Sequence, residues 1–351
     1  MSTHVAIATT AKGVINTIQV PTEEPGSEEV LIKVEYAAMI PPDAYIADRG
    51  FLVSSYPLTL GFTAAGTVAK VGSGVEDLKP GDRKGVQEYC IQPRGVCAKI
   101  SGNLSFEAAA TIPDNFVCAF YTVFNQLSLP VPESFPASVN PPLANTPILI
   151  YGAGSTSGQY MIRLLHLARY TKIFATASSK HHDYLRSLGA TDLFDYNSPT
   201  LVDDINKAAG GPGKLSLAVD CISAASTMGI LAKILSPTGS VGLLLPVKKG
   251  TTLNNGTEDE LFLDLPFPES LNPFQKGTNI IGVRTFLYQA DQVLKEKLMP
   301  VILPELLEKD LIQPTRLRLF DQGSLQQRVE QALDLFRSNK VSGEKLVIKI
   351  N

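Results

Sequence analysis

The chain has 351 residues, 44% hydrophobic and 19% charged, with Gly 27 and Pro 24 scattered rather than massed in one tract. It can bury the cores of two domains and is neither disordered nor low in complexity. Thirty-one basic residues against 34 acidic ones leave a formal charge of -3, which excludes a nucleic-acid footprint and a polybasic membrane patch.

The first third reads as β-rich. EVLIKVEYAA (Glu29 to Ala38) alternates before turning apolar, and GTVAKVGSGVEDLKPGDR (Gly66 to Arg83) has the punctuation of strand, turn and strand. From Ser105, SFEAAATIP and NFVCAFYTVFNQL take helical spacing, and a Pro-rich loop runs from Pro130 to Pro147. Strands and helices then alternate: ILIYG (Ile148 to Gly152), a helix from Thr156 to Tyr170, KIFATA, a helix through Asp183 to Leu188, and LFDY. SLAVDCI, a helix through Ile230 to Leu235, SVGLLLP and NIIGVR continue the series. Such alternation predicts the α/β class with a doubly wound parallel sheet, whose strands are covered on both faces. Two amphipathic helices follow, around Leu294 to Lys309 and Leu325 to Arg337, and GEKLVIKI predicts a strand returning to the first domain.

The opening MSTHVAIATTAKGVINTIQV lacks the charged start, apolar centre and cleavage site of a secretory signal. No apolar run approaches the ~20 residues of a membrane helix, so the expected location is cytoplasmic. Cys90, Cys97, Cys118 and Cys221 are too few and too scattered for a disulfide framework.

Gly152-Ala153-Gly154-Ser155-Thr156-Ser157-Gly158 follows a strand and opens a helix. Small residues there let backbone N–H groups approach a pyrophosphate, and a helix N-terminus adds favourable partial charge. The spacing departs from G-x-G-x-x-G, because Ser157 stands where the third glycine belongs and Gly158 comes one later. Within a βαβ unit the loop predicts a dinucleotide site. NAD sites carry Asp or Glu about 20 residues on, for the ribose 2′-hydroxyl. Here KIFATA ends in Ser178-Ser179-Lys180-His181-His182, with no carboxylate before Asp183. Hydroxyls and a lysine suit a 2′-phosphate, so NADPH is the expected cofactor, unless Lys180 merely starts the next helix in solvent.

LGFTAAGTVAKVGSGVEDLKPGDR, GAGSTSGQYMIRLLHLA, LRSLGATDLFDYNSP and KVSGEKLVIKI stand in the order of the medium-chain dehydrogenase/reductase superfamily, which the chain resembles over nearly its full length. The resemblance implies a GroES-like β-rich catalytic domain (1–119) with an inserted Rossmann domain (120–288), the segment 289–351 returning to the first, and an active site in the cleft between them. Zinc alcohol dehydrogenases of the superfamily carry Gly-His-Glu where this chain has Gly61-Phe62-Thr63, and a ligand cysteine near Ile40. Neither set can ligate a metal here, and there is no four-cysteine lobe. His4, His166, His181 and His182 do not repair the loss, so no zinc is expected. MIPPDAYIADRG, ATASSKHHDYLRSLGA, DYNSP and the Pro-rich loop resemble the trans-acting enoyl reductases that serve fungal polyketide synthases. That implies hydride transfer to a conjugated C=C of an acyl or polyketide substrate, with a synthase as partner and a monomer or homodimer as the state of the chain. Quinone or enone reduction is the alternative, and a redox-silent isomerase, cyclase or synthase-binding homologue the second.

The same resemblance assigns the site. Pro42, Asp43 and Tyr45, Tyr196, and Val341 and Ser342 would join the loop residues around the cofactor; Cys221 and Ile222, and Leu244, Leu245 and Pro246, end strands, where a doubly wound fold binds its ligand, and are expected to flank the nicotinamide ribose. Tyr45 stands where the family has a lysine: its hydroxyl either donates a hydrogen bond or proton, or its ring packs beside the cofactor. Asn115, Phe116, Cys118, Phe120, Tyr121 and Thr122 match the stretch lining the acyl cavity. Phe116, Phe120 and Tyr121 equally suit a helix core. Cys118, standing where Thr is usual, reads as a small wall residue rather than a nucleophile, having no His or Lys nearby in sequence. Finally, the link between Gly85 and Val86 is shorter than the family's by about a dozen residues. A wider cleft mouth, altered specificity and a wrongly placed exon boundary all remain open.

Overall fold

The computed structural model describes residues 2–78, 88–250 and 261–351, so the shortened link lies outside the described residues. The chain opens with a hairpin, β1 (Thr3–Ala11) and β2 (Val14–Pro21), closed by Gly13 at φ +76, the left-handed conformation that glycine adopts without strain. β3 (Glu29–Met39), α1 (Pro41–Arg49), β4 (Leu58–Thr59), β5 (Thr63–Val71), β6 (Tyr89–Pro93), α2 (Phe106–Ala109) and α3 (Pro113–Phe120) follow. Then β7 (Ile148–Tyr151), α4 (Thr156–Leu167), β8 (Ile173–Ala177), α5 (His182–Leu188), β9 (Asp192–Asp195) and α6 (Leu201–Ala208) alternate. β10 (Leu215–Asp220), α7 (Ala225–Ile234), β11 (Leu235–Leu244), β12 (Val247–Lys248), β13 (Leu261–Phe262) and β14 (Asn279–Val283) complete this part. The chain ends with α8 (Gln292–Lys297), α9 (Leu303–Glu308), β15 (Leu317–Phe320), α10 (Leu325–Arg337) and β16 (Lys345–Lys349).

Two compact units result. One draws on the described residues within Met1–Asp114 and Gln289–Asn351, the other on those within Asn115–Thr252 and Gly256–Tyr288. In the first unit β3 is central: β5 pairs along one edge, while β16 and β6 share the other, with β15 beyond β16. The amphipathic α10 and the buried face of α1 pack together on this sheet, with Ala44, Ile46 and Ala47 meeting Leu333 and Phe336 over Met39, Leu346 and Ile348. In the second unit six parallel strands lie in the order β14-β11-β10-β7-β8-β9. This is the 3-2-1-4-5-6 order of a Rossmann sheet, with its switch point between β7 and β10.

Four local expectations are corrected. Between Val71 and Leu78, the described part of the expected second strand, no strand forms; the N–H groups of Gly72 and Gly74 donate to Glu29 and Ser27 carbonyls instead, and Val75 and Leu78 sink into the core of Val30, Ile32 and Val34. The helix from Thr156 stops at Leu167, because Arg169 takes φ +65. The helix expected around Leu294 to Lys309 is three pieces, with a π turn at Leu298–Ile302; Pro300 and Pro304 have no N–H to continue the ladder. The helix placed through Ile230 to Leu235 spans Ala225–Ile234. The four cysteines are free thiols, and no helix among the described residues is long and apolar enough to cross a membrane.

Candidate active site

The switch point is where the glycine loop and the end of β10 meet. Register pairs Tyr151 with Asp220, so the loops leaving β7 and β10 start side by side. Gly152 takes φ +75, and a Cβ there would fall 2.7 Å from Ile222 Cγ1 and 3.5 Å from Cys221 Cβ. Its N–H donates to Thr176 Oγ1 at 3.0 Å, and Ala153 N–H to the Thr176 carbonyl at 2.9 Å, pinning the loop to β8. Ser155 caps α4 by accepting the Gly158 N–H at 3.1 Å. A Cβ on Gly158 would sit 2.7 Å from Ala153 Cα, so this glycine lets the helix close on the loop although it stands one place late. The arrangement fits a pyrophosphate: small side chains, a capped helix start and a strand-end crevice.

Asp220 is fully buried and holds the facing loop. It accepts N–H groups from Ile222 and Ser223, both at 2.9 Å, and the Thr227 hydroxyl at 2.5 Å. Burial pushes its carboxyl above the ordinary range, against the pull of these hydrogen bonds. Ser223, at φ 53, turns the chain after Ile222. Cys221 has its thiol pushed up by burial, so it offers no thiolate.

At the end of β8, Ser178 is half-buried, Ser179 and Lys180 are exposed, and His181 is buried, its ring 3.4 Å from where a Gly154 Cβ would stand. The sheet brings in a carboxylate that the sequence spacing hid. Asp195 pairs in register with Ala177. Its oxygen accepts the N–H of Asn197 at 2.9 Å and the Asn197 amide at 3.0 Å, and its carboxyl is held below the usual range by these bonds and by the Ser179 N–H. Tyr196, next to it, is exposed. Leu244 and Leu245 are half-buried at the end of β11, next in the sheet to β10.

Asn115, Phe116, Cys118, Phe120, Tyr121 and Thr122 belong to this second unit. Asn115 joins the loop helix: its Oδ1 accepts the buried Ser157 hydroxyl at 2.9 Å. Phe116 and Phe120 are fully buried among Tyr160, Phe124 and Phe135, the core role their helical spacing also allowed. Tyr121 is buried in a π turn, the Thr122 hydroxyl bonds back to the Cys118 carbonyl at 2.6 Å, and Cys118 is half-exposed.

Pro42, Asp43, Tyr45, Val341 and Ser342 lie in the first unit. Tyr45 is buried in α1 with its ring edge-on to Phe51 at 5.9 Å. Asp43 is fully buried; its carboxylate accepts the Ile40 N–H at 2.8 Å and the Gly61 N–H at 2.7 Å. It thus ties together the two backbone segments where zinc relatives carry ligands. Desolvation pushes Asp43 up to about 7, against the lowering pull of those N–H groups and of Lys345. Phe62 is exposed and Thr63 buried. Among the described residues no three His, Cys, Asp or Glu side chains are grouped as a metal would require. Val341 packs on the α1–α10 core, and Ser342 is exposed.

Comparison with known proteins agrees with this architecture. The alcohol dehydrogenase GroES-like domain family matches residues 26–120. The chain is similar to the trans-enoyl reductase tazE of Aspergillus terreus, 31% identical over 57% of this chain and 71% of the relative. It belongs to the medium-chain dehydrogenase/reductase superfamily, among the trans-enoyl reductases. A second member, ACTTS2 of Alternaria alternata, is 28% identical over 100% of both chains. Across three fungal relatives the aligned stretch spans 65%, 100% and 56% of the relative's length. The fold of the family is shared by the CurK enoyl reductase, with a TM-score of 0.75, 19% identity and 98% of each chain covered.

Proposed function

We propose that the protein is an NADPH-dependent enoyl reductase that needs no metal and acts in trans on an acyl or polyketide chain carried by a synthase. The crevice at the switch point carries this reading: a glycine loop pinned to β8, closed over by Ile222, with hydroxyls and a lysine at the end of the next strand, where the neighbouring Asp195 carboxylate is already taken up by the N–H groups of Asn197 and Ser179. Gly152, Ser155, Thr156, Ser157 and Gly158 would hold the pyrophosphate, and Ser178, Ser179 and Lys180 the 2′-phosphate, with Tyr196 beside them. His181 packs against the loop that they flank. Cys221, Ile222, Leu244 and Leu245 stand at strand ends, where doubly wound sheets bind ligands.

When bound, the reduced nicotinamide supplies a hydride to the β-carbon of the conjugated C=C, while the α-carbon takes a proton. The chain's part is orientation, exclusion of water and custody of that proton. Tyr45 is proposed to hold the proton at its hydroxyl, the ring being fixed by Phe51. Asn115, Cys118 and Thr122 are proposed to border the acyl chain, with Phe116, Phe120 and Tyr121 as the apolar support behind them. The test is NADPH consumption with a panel of enoyl thioesters beside a panel of quinones. Turnover of thioesters supports the reading, turnover of quinones alone replaces it, and no turnover of either makes the protein a redox-silent homologue.

A further inference from the structure

The C-terminal strand delivers a buried lysine to the place where the first unit's site residues begin. Lys345 opens β16, and the pairing of Leu346 with Met39 carries it to the end of β3, where α1 starts. It is 3% exposed, and its Nζ lies 2.5 Å from Oδ2 of Asp114 in the first turn of α3. Asp43, in the first turn of α1, is attracted by the same ammonium and repelled by Asp114. Both Asp43 oxygens are already engaged by the N–H groups of Ile40 and Gly61, so the carboxylate is fixed in place. One buried cation therefore serves a fully buried carboxylate, Asp43, and a partly exposed one, Asp114, and the buried charge is costly if left uncompensated.

We infer that Lys345 is a positioning residue: its single charge, divided between Asp43 and Asp114, fixes the first turns of α1 and α3 and thereby how α1 presents Pro42 and Tyr45. The inference rests on the reading of α1 as a cofactor-contacting helix. Asp43 changes charge near neutral pH, so the pocket holds either one negative charge or two. With Asp43 protonated, Lys345 belongs to Asp114 alone. With Asp43 ionised, both carboxylates compete for the ammonium. The charged groups facing Asp43 are Lys345 from β16 and Asp114 from α3.

The experiment compares wild type, Lys345→Met, Asp114→Asn and the double variant. NADPH affinity is read by cofactor fluorescence from about pH 5.5 to 8.5, and urea unfolding is followed over the same range. Losing the cation should move the midpoint of both pH dependences up by about one unit or more, and losing the competing carboxylate should move it down. The double variant should return close to wild type. Asp114→Asn tests the opposite sign on its own if Lys345→Met does not fold. Identical midpoints in all four proteins, or shifts of the same sign in the two single variants, would overturn the inference. So would unfolding midpoints that move while NADPH affinity does not. Absence of NADPH binding by the wild type at every pH is a different failure: it removes the cofactor reading itself.

Discussion

Around Gly152 the chain fixes its backbone with small side chains and neutral hydrogen bonds; beneath α1 it does so with buried ions. In the loop, the Thr176 hydroxyl and the Ser155 cap satisfy N–H groups, and steric contact with Ile222 and Ala153 sets the path. Under α1, a carboxylate takes the N–H groups of Ile40 and Gly61, while Lys345 attracts its charge and Asp114, bound to the same lysine, repels it. The first arrangement places no ion in the loop itself and is intolerant of any added atom. The second is sensitive to pH. A cofactor loop has to leave its positive helix end open to an anion, which an ionised lysine–carboxylate cluster in the same place would compromise.

The largest effect expected of this contrast is on stability against pH. Asp43 rises from 3.8 to about 7 on folding, so the folded state binds more protons and its stability should fall as pH climbs from about 4 to about 7. The loss is on the order of 4 kcal/mol, levelling off above the folded value. Asp220 shifts in the same direction, so the quantity to measure is the difference between wild type and Asp43→Asn in urea unfolding. The variant should lack the part of the slope that Asp43 supplies; an unchanged slope would remove Asp43 from the ionic cluster. Next comes the chemistry borne by α1. Tyr45→Phe should lower kcat by about 10²-fold, the lower end of general acid assistance, with NADPH affinity unchanged. A fully active variant would make Tyr45 a packing residue beside Phe51.

On the neutral side, Gly158→Ala places a methyl 2.7 Å from Ala153 Cα. Overpacking of about 1–3 kcal/mol should weaken NADPH by about 10- to 100-fold, measured by titration; unaltered affinity would mean that the helix does not need to close on the loop. The smallest effect concerns the lysine at the end of β8. Lys180 is exposed, so Lys180→Ala should cost NADPH about 1 kcal/mol and NADH nothing. Equal loss for both cofactors would contradict a 2′-phosphate contact.

What the sequence made legible follows the same division. The loop is local: seven residues after an apolar run declare it, and the strand–helix alternation fixes its sheet. Its partners are not local. Ile222 reaches it, and Asp195 reaches the end of β8, only through strand order and register, which no spacing rule within one element contains. Asp195 in particular is remote from Gly152 along the chain and comes to Ala177 only across the sheet. The ionic cluster was harder still, since Lys345 and Asp114 stand 231 positions apart and the lysine reads as an ordinary strand-start residue. Phe116 and Phe120 show the converse limit: helical spacing fits a ligand wall and a core equally, and burial among other aromatics is visible only in three dimensions.

The most direct measurement is calorimetric titration of the wild-type protein with NADPH and with NADH under identical conditions. The crevice at the switch point, with Ser178, Ser179 and Lys180 at the end of β8, should bind NADPH at least about tenfold more tightly, a difference of about 1.4 kcal/mol or more. Equal affinities, or a preference for NADH, would contradict the assignment of that strand end to the 2′-phosphate.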